Sequence, residues 1–430
     1  MDLFEIIATL LTVAALFSYL NHRFLRLPST IGLMLIGLAF SLALIVVGNA
    51  LPSVEQTAVR LLENVDFDKT LMEGLLGFLL FAGALHVNLE DLARQKVVIA
   101  VLATIGLAIS AFLVGGLTWL ALDLLGVSMP FILCLLFGTL ISPTDPIAVL
   151  AALKSARAPR SLETKIAGES LFNDGVAVVF FLAVLGLAGL GGGHAGGGAA
   201  SDGVAVAELV VTLFALETAG GALFGFAAGY LVYRLMRSVD SYEVEILLSL
   251  ALVAGGYALA RALHVSGPIA MVVAGLLIGN HGRTFAMSDR TREHLDTFWL
   301  LVDEILNAVL FVLIGLEVLV IPFDWIWLAA GALAVGIVLA ARFVAVGLAV
   351  SALRRVREFT PHAVKVLTWG GLRGGISVAL ALSLKSTLGA RSPEAYEGLL
   401  LMTYVVVVFS IAVQGLTIVP VLRRLGHGTR

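Results

Sequence analysis

The chain has 430 residues, 60% of them hydrophobic and only 13% charged, with a formal net charge of −3. Soluble domains carry roughly 25% charged residues, so this composition excludes a soluble enzyme and makes lipid the solvent. There is no basic patch for nucleic acid, and the single cysteine, Cys134, lies inside an apolar run and leaves no disulfide framework.

A membrane helix needs about 20 predominantly apolar residues to cross roughly 30 Å of hydrocarbon. In chain order that length predicts thirteen segments: 2–20, 30–49, 70–87, 97–122, 130–153, 164–189, 204–233, 243–263, 267–279, 295–320, 325–353, 362–384 and 396–422. The first is a retained span rather than a secretory signal, because the chain starts Met1-Asp2-Leu3-Phe4-Glu5 with no basic region ahead of it. The runs are long and continuously apolar, without the alternation of a barrel strand, so the fold class is an all-α polytopic membrane protein.

The basic residues test the segment count. With the N-terminus outside, 20 of the 27 Lys and Arg fall at inside positions, among them Arg23, Arg94, Lys154, Arg234, Arg290, Arg354 and Arg423. Five fall outside, and Arg342 and Arg373 lie within segments. That asymmetry is the positive-inside rule, and one wrong segment would scramble it. Residues 1–430 thus read as a single transmembrane domain with a cytoplasmic C-terminus. Residues 189–203, with glycine triplets at Gly191 and Gly196, form a flexible outside linker. The six residues after Arg424 leave no room for a regulatory domain.

Ionisable groups at the bilayer centre are costly and mark function. Segment 130–153 has Ser142-Pro143-Thr144-Asp145-Pro146 near its middle, and segment 164–189 has Gly168-Glu169-Ser170-Leu171-Phe172-Asn173-Asp174-Gly175. Arg342 lies near the middle of 325–353, and Arg373 inside Gly370-Gly371-Leu372-Arg373-Gly374-Gly375 of 362–384. Two prolines break the first of these helices, and four glycines weaken the last. Broken backbone at membrane depth is tolerated only when buried in protein or lining a wet cavity. Segments five and twelve are seven apart, so they run oppositely, the pattern of an inverted-repeat transporter whose broken helices cross at the substrate.

Ser170 and Asp174, at i and i+4, share one helix face; Glu169 and Asn173 share the neighbouring one. Small hard cations want oxygen ligands, which Ser170, Asp174, Thr144 and Asp145 supply. A cation and a proton compete for a single carboxylate, and removal from water favours its protonated form. Asp174 is therefore the candidate exchange group.

These motifs, with the run Leu306-Asn307-Ala308-Val309-Leu310-Phe311-Val312-Leu313-Ile314-Gly315-Leu316-Glu317, resemble those of the sodium/proton exchangers, the electroneutral branch of the monovalent cation:proton antiporters. The resemblance spans essentially the whole chain. It implies that Asp174 binds ion and proton, that Ser170 and Thr144 complete the oxygen shell for Na+ or Li+, and that Asp145 holds the broken helices. It also implies a structural ion pair between Glu169 and Arg342, with Arg373 compensating the helix ends at the crossing. Electrogenic relatives carry two aspartates where this chain has Asn173-Asp174, so one-for-one exchange is implied. So are a homodimer, a bacterial or archaeal plasma (inner) membrane, a role in pH homeostasis and no cofactor. The family commonly has an acid where this chain has Ala82, in Phe81-Ala82-Gly83-Ala84-Leu85, which bears on ion affinity and selectivity.

Other readings stand beside this one. Asp145 could simply cap a half-helix, and Asp303 with Glu304 could line an inside funnel or form an ordinary polar helix face. K+/H+ exchange fits the same motifs. A passive channel favours rings of identical filters, which two inverted halves do not form. An intramembrane metalloprotease needs His-Glu-x-x-His, which does not occur. An aspartyl protease could use Asp145 and Asp174, and an Asp174→Asn variant separates cleavage from exchange.

Overall fold

The computed structural model describes residues 3–48, 70–155, 158–190, 203–282 and 287–426. The loop 50–69 and most of the expected linker 189–203 lie outside the described residues, apart from Thr70 onward and the two flanks of the linker. Among the described residues, nine helices are long and apolar enough to cross a membrane, and four shorter apolar helices join them. Together they occupy the thirteen expected segments.

In chain order the helices are α1 (Leu3–Leu20), α2 (Ser29–Gly48), α3 (Leu76–Leu85), α4 (Leu89–Leu124), α5 (Phe131–Leu140), α6 (Ile147–Ser155), α7 (Arg160–Leu187) and α8 (Gly203–Met236). They continue as α9 (Tyr242–Ala262), α10 (Gly267–Leu277), α11 (Asp289–Leu316), α12 (Trp325–Leu353), α13 (Ala363–Trp369), α14 (Gly375–Ser383) and α15 (Pro393–Arg424). Two helices start earlier than hydropathy alone predicts. α4 begins at Leu89 rather than 97, because Asn88 caps it by accepting from the amides of Glu90 and Asp91. α11 begins at Asp289 rather than 295, where Ser288 accepts from the Thr291 amide. Their charged first turns stand clear of the apolar stretch, so a lipid ruler passes over them.

The helices pack as two bodies. One groups α1, α2, α3 and α8–α11, with α2 on α11, α8 on α10 and α3 on α10. The other groups α4–α7 with α12–α15, with α4 against both α5 and α12, and α12 against α15. This second body is built from two triplets, each a long helix, a broken pair and a long helix: α4, α5/α6, α7 and α12, α13/α14, α15. The triplets are seven segments apart, so one is inverted relative to the other. Leu133 to Phe137 and Leu140 of α5 sit in one apolar cluster with Val378 to Leu382 of α14, and Cys134 is wholly buried among them.

Candidate functional site

The two interrupted helices meet at their breaks. α5 stops at Leu140 and α6 starts at Ile147, because Pro143 and Pro146 lack amide donors between them. α13 stops at Trp369 and α14 starts at Gly375. The extended links run antiparallel, and the Asp145 amide donates to the Leu372 carbonyl at 2.8 Å. Glycine is needed for this approach: a Cβ on Gly374 would stand 2.7 Å from the Asp145 Cβ.

A broken helix leaves exposed dipole ends, and the charges at the crossing match them. Arg373 donates through Nη1 to the carbonyls of Ser142 and Pro143, just past the C-terminus of α5. Its own amide, following the end of α13, donates to Ser410 Oγ at 2.8 Å. Asp145 serves the opposite ends. Its Oδ1 accepts the Ile147 amide at 2.9 Å at the N-terminus of α6, and its other oxygen lies beside Gly374 at the N-terminus of α14. The cation thus neutralises C-terminal carbonyls and the anion N-terminal amides.

α7 passes alongside. Its Ser170 hydroxyl is 3.0 Å from the Thr144 hydroxyl, and Asn173 Nδ2 donates to Thr144 Oγ1 at 3.3 Å. Asn173 thereby ties α7 to the crossing. One turn on from Ser170, Asp174 is only 8% exposed, and its Oδ1 has no hydrogen-bond partner among the described residues. Asp174 and Asp145 are close enough for their charges to act on each other. On the neighbouring face, Glu169 and Arg342 form a buried ion pair at 2.5 Å, and Arg342 also reaches the Leu367 carbonyl at 3.4 Å.

Thr144, Asp145 and Asp174 line a cavity of about 730 Å³. It lies between the two bodies: α3 and α11 form one wall, and the crossing with α7 forms the other. Its mouth holds Asn88, Asp91, Lys154, Arg160 and Glu163. Beyond Asp174 the path closes, since Ala177, Phe181 and Val184 of α7 and Ala379, Leu380 and Leu384 beyond the crossing are all buried. Among the described residues, the layer beyond Asp174 is packed and the polar lining lies on the mouth side.

Of the residues singled out from sequence, Thr144, Asp145, Ser170, Asn173, Asp174 and Arg373 converge here, while Glu169 and Arg342 pair behind them. Ala82 lines the cavity and brings no side-chain oxygen. Two polar residues of α11 reach the same cavity: Asp303, which sequence left undecided between funnel and polar face, and Asn307, noted only within a motif run. The available signal was their i, i+4 spacing with Leu300 and Leu310 on the same stripe, which no pattern ties to the crossing.

Among the described residues, two inverted helical triplets, crossed broken helices and a buried carboxylate with one unpartnered oxygen lining a cavity give the architecture of a secondary transporter. The family model for the transmembrane sodium/hydrogen exchangers matches residues 11–424. The chain is 50% identical to the Na+/H+ antiporter NhaP of Pseudomonas aeruginosa, over 99% of this chain and 97% of that one. It is 35% identical to the Na+/H+ antiporter NhaH of Halobacillus aidingensis, over 94% and 93% of the two chains. The structure of the sodium proton antiporter MjNhaP1 from Methanocaldococcus jannaschii shares its fold, with a TM-score of 0.74 over 99% of both chains at 19% identity. The chain belongs to the sodium/hydrogen exchanger family. It is an integral membrane protein and a transporter rather than an enzyme, which sets aside the aspartyl protease reading.

Proposed function

We propose that this chain exchanges Na+ or Li+ for H+, one for one, by alternating access, with both ions competing for Asp174. The observation behind this reading is the buried, unpartnered Asp174 oxygen, which lines the cavity one turn along α7 from Ser170, whose hydroxyl meets that of Thr144. A dehydrated cation gains oxygen ligands there, and a proton on the carboxylate cancels the charge that holds it. Movement of the crossing body against α3 and α11 closes the present mouth and opens the opposite side. Asp145 and Arg373 hold the two breaks together during that movement, and the Glu169–Arg342 pair fixes α7 to α12.

In this reading the N-terminus is outside and the mouth faces the cytoplasm of a bacterial cell, across its plasma membrane. The chain acts as a single transmembrane domain and assembles as a homodimer in lipid. The test is a proton gradient imposed across vesicles containing the protein and followed with a pH-sensitive dye. Na+ or Li+ should dissipate the gradient with wild type and not with Asp174→Asn. A response to K+ alone would make the chain a K+/H+ exchanger, and an active Asp174→Asn would remove Asp174 from the mechanism.

A further inference from the structure

Asp174 faces a wall that is almost entirely apolar. From α3 that wall receives Leu76, Leu79, Leu80, Ala82 and Gly83, none with a side-chain oxygen. From α11 it receives Leu300, Asp303, Asn307 and Leu310. These four fall at helical spacings of three and four, so they form one stripe along the helix. Asp303 is half-buried at a depth where a carboxylate needs a reason. Asn307, one turn further in, lines the same cavity, is 4% exposed, and has an amide oxygen with no hydrogen-bond partner among the described residues. Asp303 lies one turn away on the same stripe and lines the cavity together with Asp145. A buried amide oxygen without a donor costs free energy unless something electropositive occupies it.

We propose that Asp303 and Asn307 form a second station for a monovalent cation, on the wall opposite Asp174 and nearer the mouth. The Asp303 carboxylate and the Asn307 carbonyl oxygen supply hard ligands to a cation that has shed part of its water. The station belongs to the body that does not contain the crossing, so the ion passes from one body to the other when it reaches Asp174. It concentrates the cation at the mouth of a path with no other charged oxygen on that wall, and it therefore sets apparent affinity rather than the maximal rate. This inference rests on Asp174 being the exchange group.

The test uses the full chain in vesicles, with initial rates of Na+-driven proton release measured over a range of Na+ at one pH. For Asp303→Asn the apparent KM for Na+ should rise about five- to tenfold while the maximal rate stays within about twofold of wild type. Asp303→Glu should restore the wild-type KM, and Asn307→Leu should raise it by threefold or more. An unchanged KM in both Asp303→Asn and Asn307→Leu would overturn the proposal. So would a loss of maximal rate at unchanged KM, which marks a purely structural role. If Asp303→Asn does not yield folded protein, the Asn307→Leu and Asp303→Glu pair decides. Asp174→Asn in the same vesicles separates the two readings. If it still exchanges, the exchange site itself is wrong; if it is inactive and the α11 variants keep the wild-type KM, only the second station fails.

Discussion

The backbone amide of Asp145 donates to the carbonyl of Leu372, so the breaks in two oppositely directed helices are joined main chain to main chain. No side-chain change can remove that bond directly, but crowding at Gly374 can. A methyl there has the Asp145 Cβ and carboxylate as its neighbours, both too near for van der Waals contact. Gly374→Ala should destabilise the protein by roughly 1–3 kcal/mol, the usual range for overpacking, and reduce exchange. Gly336→Ala, on α12 with open space around it, should leave both unchanged. Thermal unfolding in detergent beside vesicle transport checks the pair, and equal midpoints for the two variants would count against a tight crossing.

Arg373 answers two carbonyls that the end of α5 leaves free. A hydrogen bond to a charged group contributes about 1.5–3 kcal/mol. Arg373→Ala should therefore slow exchange about tenfold or more, and Arg373→Lys should do less harm because it keeps the charge without the planar fork. If Ala and Lys variants transport equally, charge compensation at the crossing is not the role of Arg373.

Glu169 and Arg342 are both nearly fully buried. Removing one partner of such a pair leaves an uncompensated charge and costs about 3–5 kcal/mol, whereas replacing both with apolar groups of similar volume is often neutral. Arg342→Met should thus be far less stable than Glu169→Leu with Arg342→Met. A double-mutant cycle on thermal stability reads the coupling directly, and strict additivity would mean that the two residues act independently.

Competition at one carboxylate fixes the sign of the pH response. Below the pH at which Asp174 half-titrates, each unit of acidification should raise the apparent KM for Na+ about tenfold, because the free carboxylate falls tenfold. At saturating Na+ the inhibition by protons on the same side should disappear. Steady-state rates at several pH values test this, and a pH effect on maximal rate with constant KM would argue for separate proton and cation groups.

Much of the architecture was legible because two strong rules applied. Continuous apolar runs predicted thirteen segments, and among the described residues nine spanning helices and four shorter ones occupy them. The crossing was legible at Pro143, Pro146 and the glycines around Arg373, since those residues cannot propagate a helix. Helix ends were less legible: the turns at Leu89 and Asp289 are polar, and a cap rather than hydropathy defines them. Asp303 and Asn307 were least legible. Which face of α11 meets the cavity depends on the packing of α2, α3 and α9 around it, and that arrangement leaves no mark in local sequence.

The burial of Cys134 has a practical consequence. The only thiol in the chain lies inside α5, 0% exposed, among leucines and phenylalanines. A maleimide dissolved in the bath meets no native target while the fold is intact. The natural sequence is therefore already a silent background for cysteine labelling. A single cysteine placed at the mouth, or in the packed layer beyond Asp174, would be the sole reactive thiol. The side from which a membrane-impermeant reagent reaches it would report which way the transporter faces.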